Sequence, residues 1–394
     1  MKAFPQLDFD SLIIFLRDQW GEAYWHIMID RIAIIGAGNG GKAAAADLTL
    51  QGKRVHLFEF PEFKINLEKV LRDKALTATG VVSGRATLDR ITCDLTEALD
   101  GVDTVMVCTQ ALAHDRVARE LALFILPDQL VILNPGSTGG SLHFARVFQE
   151  MGLKRLPTLV ETSTLTYACR AKGAKVDILV KVARVLYSTL PAVDLDRIGP
   201  ELEGLYPGLV RAASILEVGL NNGNPVIHPA ITLLNAARIE KEGNKMFFYR
   251  DGVSPAVARL IQKVDEERMA LLKALGYPAQ SEPVTSVQQG YASSTDYYEC
   301  YGKGLGYRDL PSPDSLDNRY LHEDIGISLV MLCSLGKFLG VPTPTCELIV
   351  RMGEILSGKD YFGQSLRTVE TLGLNGLDLD GMKSFLHTGN KGLG

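Results

Sequence analysis

Gly36-Ala37-Gly38-Asn39-Gly40-Gly41 is the stretch that decides the fold. It follows the apolar run Ile32-Ala33-Ile34-Ile35, which is typical of a buried parallel strand, and it precedes the alanine-rich residues 42–48, which favour a helix. The first, third and sixth residues match G-x-G-x-x-G, where they make the tight turn, admit a pyrophosphate and let the helix pack on the strand. The order of strand, glycine turn and helix therefore predicts a dinucleotide-binding unit.

A second strand-like run, Arg54–Phe58, ends at Glu59. Glu59 lies eighteen residues beyond Gly41, close to the offset at which an acidic side chain accepts hydrogen bonds from the ribose hydroxyls. Its charge would repel a 2′-phosphate, which favours NAD over NADP, although Lys53 and Arg54 are nearby. The alternative is a glycine turn in an α/β sheet that binds no dinucleotide.

Length and composition limit the classes of protein to which this chain can belong. The 394 residues exceed the usual size of one hydrophobic core, so two domains are expected. A net charge of −5 gives no general attraction for nucleic acid, and no run of about 18 apolar residues predicts a membrane span. The six cysteines form no C-x-x-C pair and have no histidine nearby at ligand spacing, which argues against zinc and disulfides and favours reduced thiols in a cytoplasmic protein.

Residues 1–27 are the part that a nucleotide-binding domain does not need. Their apolar run, residues 12–16, is neither preceded by a basic segment nor followed by a cleavage site, so no signal peptide is predicted. We interpret residues 1–27 as a short helical extension or a mis-assigned start without a catalytic role. Residues 28–207 are expected to form the dinucleotide-binding domain, and residues 208–394 the second domain.

Beyond Glu59, buried strands alternate with helices, which predicts a doubly wound parallel sheet of the Rossmann type. One strand, residues 104–108, ends at Thr109 and Gln110, and another, residues 130–133, leads into the glycine-rich loop 134–140. Ligands of such sheets bind beyond the carboxyl ends of the strands, so we expect Thr109, Gln110 and the loop to face the cofactor. The alternative for the loop is a plain connector.

The second domain is predicted to be mainly α-helical. Strand-like patterns continue through residues 159–162 and 176–190, and from about Ile215 the pattern changes to long helical stretches. These stretches are residues 229–241, Pro255–Leu275, 322–339 and 345–357.

His228 is the first candidate for acid–base chemistry. It lies among turn-forming polar residues, just before a helix whose first residue is expected to be Pro229. A histidine in this setting is an unusual core filler, although a capping or structural histidine is the common alternative. Because its charge changes near neutral pH, histidine suits proton transfer.

A second cluster surrounds Asp324. An aspartate near His228 would fix the imidazole tautomer and favour its protonated form. Arg319 offers a planar fork that can hold a carboxylate through two parallel hydrogen bonds, and its alternative is a surface salt bridge. Glu323 and Asp324 can also be read as the acidic first turn of the next helix, and this is the stronger interpretation for Glu323.

Taken together, four motifs resemble the octopine/opine dehydrogenase family, over a region from about Ile32 to beyond Val330. They are the glycine turn, Glu161 with Tyr167-Ala168-Cys169-Arg170, Asn224-Pro225-Val226-Ile227-His228-Pro229, and Arg319-Tyr320-Leu321-His322-Glu323-Asp324. The resemblance implies a Rossmann domain followed by an α-helical domain, with the active site in the cleft between them. It also implies that His228 and Asp324 form the catalytic dyad, that Arg319 binds a substrate carboxylate and that NAD(P) is the cofactor.

The reaction implied by the resemblance joins two small molecules. The carbonyl of a 2-oxo acid such as pyruvate condenses with the amino group of an amino acid, and hydride from NADH reduces the imine to a secondary amine with two carboxylates. The partners expected are therefore small-molecule substrates, without nucleic acid or membrane, and a homodimer is a further possibility.

Two other functions remain open from the residues alone. A different two-domain dehydrogenase, such as a ketopantoate-reductase-like enzyme, would rely on a lysine, for which Lys181 is available in a strand-rich segment. A non-catalytic NAD-sensing module would keep the glycine turn without turnover. Four tyrosines could line a substrate pocket or fill the interdomain core, and the core is the interpretation we favour for most of them: Tyr297, Tyr298, Tyr301 and Tyr307.

Overall fold

The computed structural model describes residues 29–390, so the predicted extension over residues 1–27 lies outside the described residues. Two sheets and a group of helices make up the molecule. The strands are β1 (Arg31–Ile35), β2 (Arg54–Phe58), β3 (Ala75–Gly80), β4 (Gly84–Thr87), β5 (Arg90–Thr92), β6 (Thr104–Val107), β7 (Leu130–Leu133), β8 (Thr158–Thr162), β9 (Tyr167–Lys172), β10 (Lys175–Lys181), β11 (Val185–Leu190) and β12 (Leu209–Arg211).

The α-helices of the first half flank the sheets, and those of the second half pack mainly on one another. They are α1 (Asn39–Leu50), α2 (Glu68–Asp73), α3 (Leu95–Leu99), α4 (His114–Leu121), α5 (Gly140–Glu150), α6 (Leu195–Leu205), α7 (Ile215–Leu220), α8 (Asn224–Leu234), α9 (Ala236–Glu242), α10 (Pro255–Leu275), α11 (Glu282–Gln289), α12 (Tyr297–Lys303), α13 (Arg319–His322), α14 (Val330–Leu339), α15 (Pro344–Ser357), α16 (Tyr361–Gln364) and α17 (Leu379–Thr388). Short 3-10 helices occur at Pro61–Asn66, Ala111–Ala113, Ala192–Asp194 and Gly243–Lys245, and a π-helix at Asp324–Leu329.

The large sheet confirms the predicted doubly wound topology. Its eight strands run in the order β12-β11-β8-β7-β6-β1-β2-β5, and every pair is parallel except β8 with β11. The chain leaves β1 for β2 on one side and returns to place β6 on the other, so the strand order reverses between β1 and β6. In open α/β sheets this point creates a crevice outside the carboxyl ends of the strands, where ligands bind.

Strand β1 explains why the sheet is buried on both faces. Alternate side chains point to opposite faces, so Ile32 and Ile34 join one core while Ala33 and Ile35 join the other. The first core contains α1 and the small mixed sheet, whose strand order is β4-β3-β10-β9. The second core continues without interruption into the helices of the second half. The two halves therefore share one apolar core beneath the large sheet.

The predicted domain boundary at residue 207 falls just before a strand of the large sheet. Strand β12 (Leu209–Arg211) pairs in parallel with β11 and still belongs to the large sheet. The chain also returns at its C-terminal end, where α17 packs against β11. The segment after residue 208 is thus mainly helical, as predicted, but it adds a strand to the large sheet, and both α7 and α17 pack against that sheet.

One predicted helix start is wrong. The helix α8 begins at Asn224 rather than at Pro229, because Pro225 occupies its first turn, where a missing N–H costs nothing. Pro229 lies inside the helix and His228 with it. His228 is therefore fixed by helical backbone on both sides instead of lying at a helix entrance.

The glycine turn is packed as its spacing predicts. Gly36 has φ +101°, a left-handed value that favours glycine, and its N–H donates to the Phe58 carbonyl over 2.9 Å. A Cβ on Gly41 would lie 1.7 Å from the Gly36 carbonyl oxygen, so the helix can approach the strand only without a side chain there. At Gly38, by contrast, an added Cβ would meet no atom within 4 Å.

Gly41→Ala should therefore lower the free energy of unfolding by about 1–3 kcal/mol, or more, because the turn must move to accept the methyl group. Chemical denaturation followed by circular dichroism measures this loss. Gly38→Ala is the matched control and should leave the stability near that of the wild type. Equal losses in the two variants would contradict the packing explanation.

Candidate active site

His228 and Asp324 meet in the helical domain, 96 residues apart in the chain. The His228 Nδ1 lies 2.7 Å from the Asp324 Oδ2, and the two residues are 3% and 0% exposed. A carboxylate at this distance accepts the Nδ1 hydrogen and fixes both the tautomer and the orientation of the imidazole. The structure therefore brings together the two residues that the sequence nominated as a dyad.

Asp324 reaches His228 because the helix widens at this point. It opens the π-helix Asp324–Leu329, in which the Ser328 N–H donates to the Glu323 carbonyl, five residues earlier. Such wide turns inside helices are rare and often occur at functional sites. Here the wide turn separates α13 from α14 and holds the Asp324 carboxylate against α8.

Burial decides the protonation of His228. It lowers the pKa of the imidazole, and this effect exceeds the raising effect of Asp324, while the Arg319 charge lowers the pKa further. Asp324 thus favours the protonated imidazole, as expected, but burial favours the neutral form more strongly. His228 is neutral at neutral pH, with Nε2 as a proton acceptor.

Two tyrosines complete the surroundings of His228. The Tyr320 ring stacks on the imidazole with centroids 4.0 Å apart, and the Tyr249 hydroxyl lies 2.9 Å from Nε2. Sequence reasoning missed both residues. Tyr320 had a signal, since it follows Arg319 within the nominated cluster, whereas Tyr249 lies in a segment without any motif.

Arg319 is the first residue of α13, and it is available to a ligand. Its side chain is 37% exposed, and its guanidinium lies 5.1 Å from the centre of the Tyr320 ring. The nearest carboxylate contact is loose, with Nη1 3.6 Å from the Glu323 Oε1. The guanidinium therefore lies beside the dyad with donors to spare, because a partner at this distance makes no good hydrogen bond.

Glu323 has a different role from the one favoured by its sequence context. It is only 2% exposed, and it bonds to the first domain instead of acting as an acidic first turn. Its Oε2 accepts from the Ala111 N–H over 2.7 Å, and its Oε1 accepts from the Ser137 hydroxyl over 3.3 Å. The interpretation as a helix-dipole residue is therefore wrong, because this carboxylate joins the two domains beside the dyad.

The loop 134–140, which Glu323 contacts at Ser137, is also held by Arg367. Sequence reasoning missed Arg367 as well. The Arg367 guanidinium, 1% exposed, donates to the carbonyls of Gly136, Ser137 and Thr138 over 2.8, 2.5 and 3.2 Å. Burial lowers its pKa to about 10, against the raising effects of Glu161 and Glu323. The loop is thus fixed at the interface between the domains. Contact between the loop and a cofactor stays a prediction.

The groups around the glycine turn fit a dinucleotide. The open space at Gly38 leaves room for a pyrophosphate at the start of α1, where the first N–H groups have no helical partner. The end of β6 borders the turn, since a Cβ on Gly36 would lie 2.9 Å from the Thr109 Cγ2. The buried Thr109 Oγ1 has no hydrogen-bond partner within residues 29–390, and Gln110 is exposed.

Glu59 lies at the end of β2, as predicted, and it already binds the turn. Its carboxylate accepts hydrogen bonds from the N–H groups of Ala37 and Phe60 and from the Asn66 amide, each over 3.0 Å. Four lone-pair sites on a carboxylate leave capacity for a further donor. Recognition of the ribose by Glu59 stays a prediction.

Lys181 lies apart from the dyad. Its Nζ pairs with the Asp47 carboxylate of α1 over 2.9 Å, and Asp47 also accepts from the Tyr167 hydroxyl. A cavity of about 450 Å³ borders Lys181 and Tyr206, but neither His228 nor Asp324 lines it. Lys181, the lysine considered for the lysine-based alternative, is thus paired with Asp47 and makes no contact with the dyad.

All six cysteines are free, and residues 29–390 contain no group of histidine, cysteine and acidic side chains that could hold a metal ion. Within the same residues, no helix has the length and apolar character needed to cross a membrane.

The glycine turn at the switch point, the helical second domain and the buried His–Asp pair define a two-domain NAD(P)-dependent oxidoreductase. A family model described as "NAD/NADP octopine/nopaline dehydrogenase, alpha-helical domain" matches residues 211–357. Over 358 residues the chain is 34% identical to an opine dehydrogenase of Arthrobacter sp. (strain 1C), which covers 89% of this chain and 97% of that relative. The chain therefore belongs to the opine dehydrogenase family, whose reaction acts on CH–NH groups.

More distant relatives have the same architecture. An octopine dehydrogenase of Mizuhopecten yessoensis is 24% identical over 84% of this chain and 91% of that relative. The solved octopine dehydrogenase in complex with NADH and agmatine superposes with a TM-score of 0.74 at 20% identity, over 93% of this chain and 99% of that one. A ketopantoate reductase from Ralstonia eutropha JMP134 reaches 0.55 at 15% identity, over 83% and 98%. At these identities the solved structures show only the fold. The ketopantoate-reductase alternative is not favoured, because this fold matches the octopine dehydrogenase more closely.

Glu323→Ala should lower the free energy of unfolding by about 1–3 kcal/mol, because the buried Ala111 N–H and the Ser137 hydroxyl lose their acceptor. Urea denaturation measures the loss. Glu240→Ala, which removes an exposed carboxylate of α9, is the matched control and should change the stability by no more than a few tenths of a kcal/mol. A Glu323→Ala variant as stable as this control would argue against the bridge between the domains.

Proposed function

We propose that this enzyme reductively condenses a 2-oxo acid, such as pyruvate, with the amino group of an amino acid, and that it also catalyses the reverse oxidation. The product is an N-(carboxyalkyl) amino acid. The observation that carries the proposal is the buried His228–Asp324 pair beside the partly exposed Arg319, on a helical domain that Glu323 joins to the nucleotide-binding domain.

His228 would move the proton that the condensation requires. When the amine attacks the carbonyl, the neutral imidazole takes a proton from the nitrogen and gives it to the oxygen, which becomes the hydroxyl of a carbinolamine. A second proton, taken up from solvent, lets this hydroxyl leave as water and leaves an iminium ion. Asp324 stabilises the charge that the imidazole carries between the two transfers, since Nδ1 keeps its hydrogen and its partner. A lowered pKa suits this role, because the resting imidazole is then ready to accept.

Arg319 would hold a substrate carboxylate. The exposed part of its guanidinium can bind both carboxylate oxygens, which fixes the carbonyl in the plane that His228 must reach. The two domains face each other here, so a substrate bound to Arg319 would lie between the dyad and the carboxyl ends of β1 and β6. NADH, when bound along the glycine turn, supplies the hydride that reduces the imine carbon.

NAD is the cofactor that the residues favour. A solved octopine dehydrogenase contains NADH, while a yersinopine dehydrogenase of the same fold contains NADP+. In this chain, Glu59 at the end of β2 supports NAD, because a carboxylate next to the ribose would repel a 2′-phosphate.

The direct test is oxidation of NADH, followed by absorbance, with pyruvate alone and with pyruvate plus a panel of amino acids. Turnover that requires both an oxo acid and an amine supports the proposal and identifies the amine. Turnover with the oxo acid alone would indicate a simple 2-hydroxy-acid dehydrogenase. Bound NADH without any turnover would favour the sensing module.

His228→Ala should lower kcat by roughly 10²- to 10⁴-fold, because general acid–base help of this kind is lost. The Kd for NADH should stay the same, since the imidazole lies in the helical domain. His387→Ala, which removes an exposed histidine of α17, is the control. Steady-state kinetics and NADH fluorescence measure the two effects. Normal turnover of the His228 variant would remove this residue from the mechanism.

Arg319→Ala should raise the KM for the oxo acid by roughly 10- to 100-fold, as expected for loss of a charged hydrogen bond of about 1.5–3 kcal/mol. Arg351→Ala removes a surface arginine of α15 that pairs with Glu354 and serves as the control. The ratio of the KM values for the oxo acid and for NADH reports the effect. An unchanged KM for both the oxo acid and the amino acid would contradict the carboxylate role.

A further inference from the structure

The imidazole of His228 is enclosed by the protein on every side that the contacts define. Asp324 holds Nδ1, the Tyr320 ring covers one face at 4.0 Å, and the Phe248 ring lies edge-on at 5.8 Å. The remaining polar atom, Nε2, is 2.9 Å from the Tyr249 hydroxyl. With His228 only 3% exposed, a substrate atom cannot exchange a proton with Nε2 unless Tyr249 moves or takes part.

Tyr249 is held firmly in this position. The neighbouring Phe248 N–H donates to the Leu310 carbonyl over 2.9 Å, and Phe247 forms a β-bridge with Pro311. The Tyr249 ring packs against that of Tyr307 with centroids 4.6 Å apart, and the residue is 5% exposed. Displacement of the hydroxyl from Nε2 would therefore require the packed ring to move.

The direction of the Tyr249 hydrogen bond follows from the charges around it. A carboxylate only accepts hydrogen bonds, so with the Asp324 carboxylate as the partner of Nδ1, Nδ1 carries the hydrogen and Nε2 carries the lone pair. The Tyr249 hydroxyl must then donate to Nε2. Burial raises the pKa of Tyr249 well above its ordinary value, which keeps the phenol protonated and able to donate.

We propose that Tyr249 is a third catalytic residue, through whose hydroxyl the proton passes between the reacting atom and His228 Nε2. This inference rests on the proposed function, in which His228 is the acid–base group. As the amine attacks, its N–H bond breaks and the proton goes to the Tyr249 oxygen, while the Tyr249 proton goes to Nε2. The nitrogen keeps its electron pair for the new bond to carbon. Both transfers reverse when the carbonyl oxygen receives this proton and becomes a hydroxyl group, and a second proton taken up from solvent lets the hydroxyl leave as water.

The position of Tyr249 relative to Arg319, which would bind the substrate carboxylate, agrees with this role. The Arg319 charge acts on the Tyr249 hydroxyl and lowers its pKa, opposing the effect of burial. Arg319 acts on His228 in the same direction. The Arg319 guanidinium lies 5.1 Å from the centre of the Tyr320 ring, which stacks on the imidazole, while the Tyr249 hydroxyl contacts Nε2, so both residues border His228.

The test compares Tyr249→Phe with Tyr307→Phe. The first variant removes the hydroxyl bound to Nε2. The second removes a buried hydroxyl that instead bonds to the Ser286 Oγ over 2.7 Å, so it controls for loss of a packed tyrosine hydroxyl. Tyr249→Phe should lower kcat at least about tenfold, with the KM for NADH unchanged.

The pH dependence gives a readout that a structural role would not move. Donation from Tyr249 stabilises the neutral imidazole, so its loss should raise the pKa of His228 and move the acid limb of kcat/KM to higher pH. The other groups that face His228, namely Asp324, Arg319 and Tyr320, are unchanged in both variants. Tyr307→Phe should keep the wild-type pH profile.

Three outcomes would overturn the assignment of Tyr249. One is a Tyr249→Phe variant with the wild-type kcat and pH profile, and another is an equal loss in both variants without a shift of the acid limb. The third comes from NMR of 15N-labelled wild-type protein, which needs no variant to fold: at neutral pH, His228 should carry its hydrogen on Nδ1, and a hydrogen on Nε2 would contradict the relay. If the wild type condenses no oxo acid with any amine, the proposed function fails. NMR titration of His228 in the wild type and in Tyr249→Phe then tests only whether the Tyr249 hydroxyl donates to Nε2.

Discussion

Two adjacent carboxylates, Glu323 and Asp324, carry the contacts on which the site depends. Glu323 reaches across the cleft to the Ala111 N–H and the Ser137 hydroxyl of the nucleotide-binding domain, while Asp324 turns back to His228. Consecutive side chains in a helix point in different directions, so one dipeptide can face both domains. The position of the dyad relative to the end of β6 is thereby set by a single turn of backbone, and the wide π-helical turn that follows holds this arrangement.

The buried charges of Glu323 and Arg367 are tolerated here because each makes several hydrogen bonds. Burial of an isolated charge would cost more free energy than the folded state has available. Removal of one partner from a buried pair therefore destabilises the protein strongly. The positive charge of Arg367 interacts with the carboxylates of Glu161 and Glu323. Its guanidinium also donates hydrogen bonds to three carbonyls of the loop 134–140. Most of these groups do no chemistry. They hold fixed the loops that surround the reaction, and this pre-organisation is what an acid–base site needs.

Local patterns predicted the first domain well and the site only in part. Apolar runs and alternation predicted β1, β2, β6, β7 and β8 to within one or two residues, but residues 176–190 were read as one strand and β12 was not predicted. The pairing of His228 with Asp324 came from the resemblance to a family, and the structure places the two side chains in contact. The helix start at Pro229 failed because a proline is tolerated inside α8, once Pro225 opens that helix. Glu323 was misread because an acidic residue before a helix has a common local explanation. Tyr249 had no local signal at all.

The sequence by itself determined the elements whose cause is local: the glycine turn, where Gly36 and Gly41 leave no room for a side chain, the two-residue period of buried strands and the apolar faces of the helices. Tertiary structure alone decided which polar groups meet. Asp324 contacts His228, 96 residues away in the chain, and Glu323 contacts Ala111, 212 residues away. No pattern of spacing encodes such pairs. The protonation of His228 was likewise a tertiary matter, because burial by Tyr320, Phe248 and Tyr249 outweighs the charge of its partner. Local sequence fixes backbone geometry, whereas desolvation and long-range contacts exist only after the chain has folded.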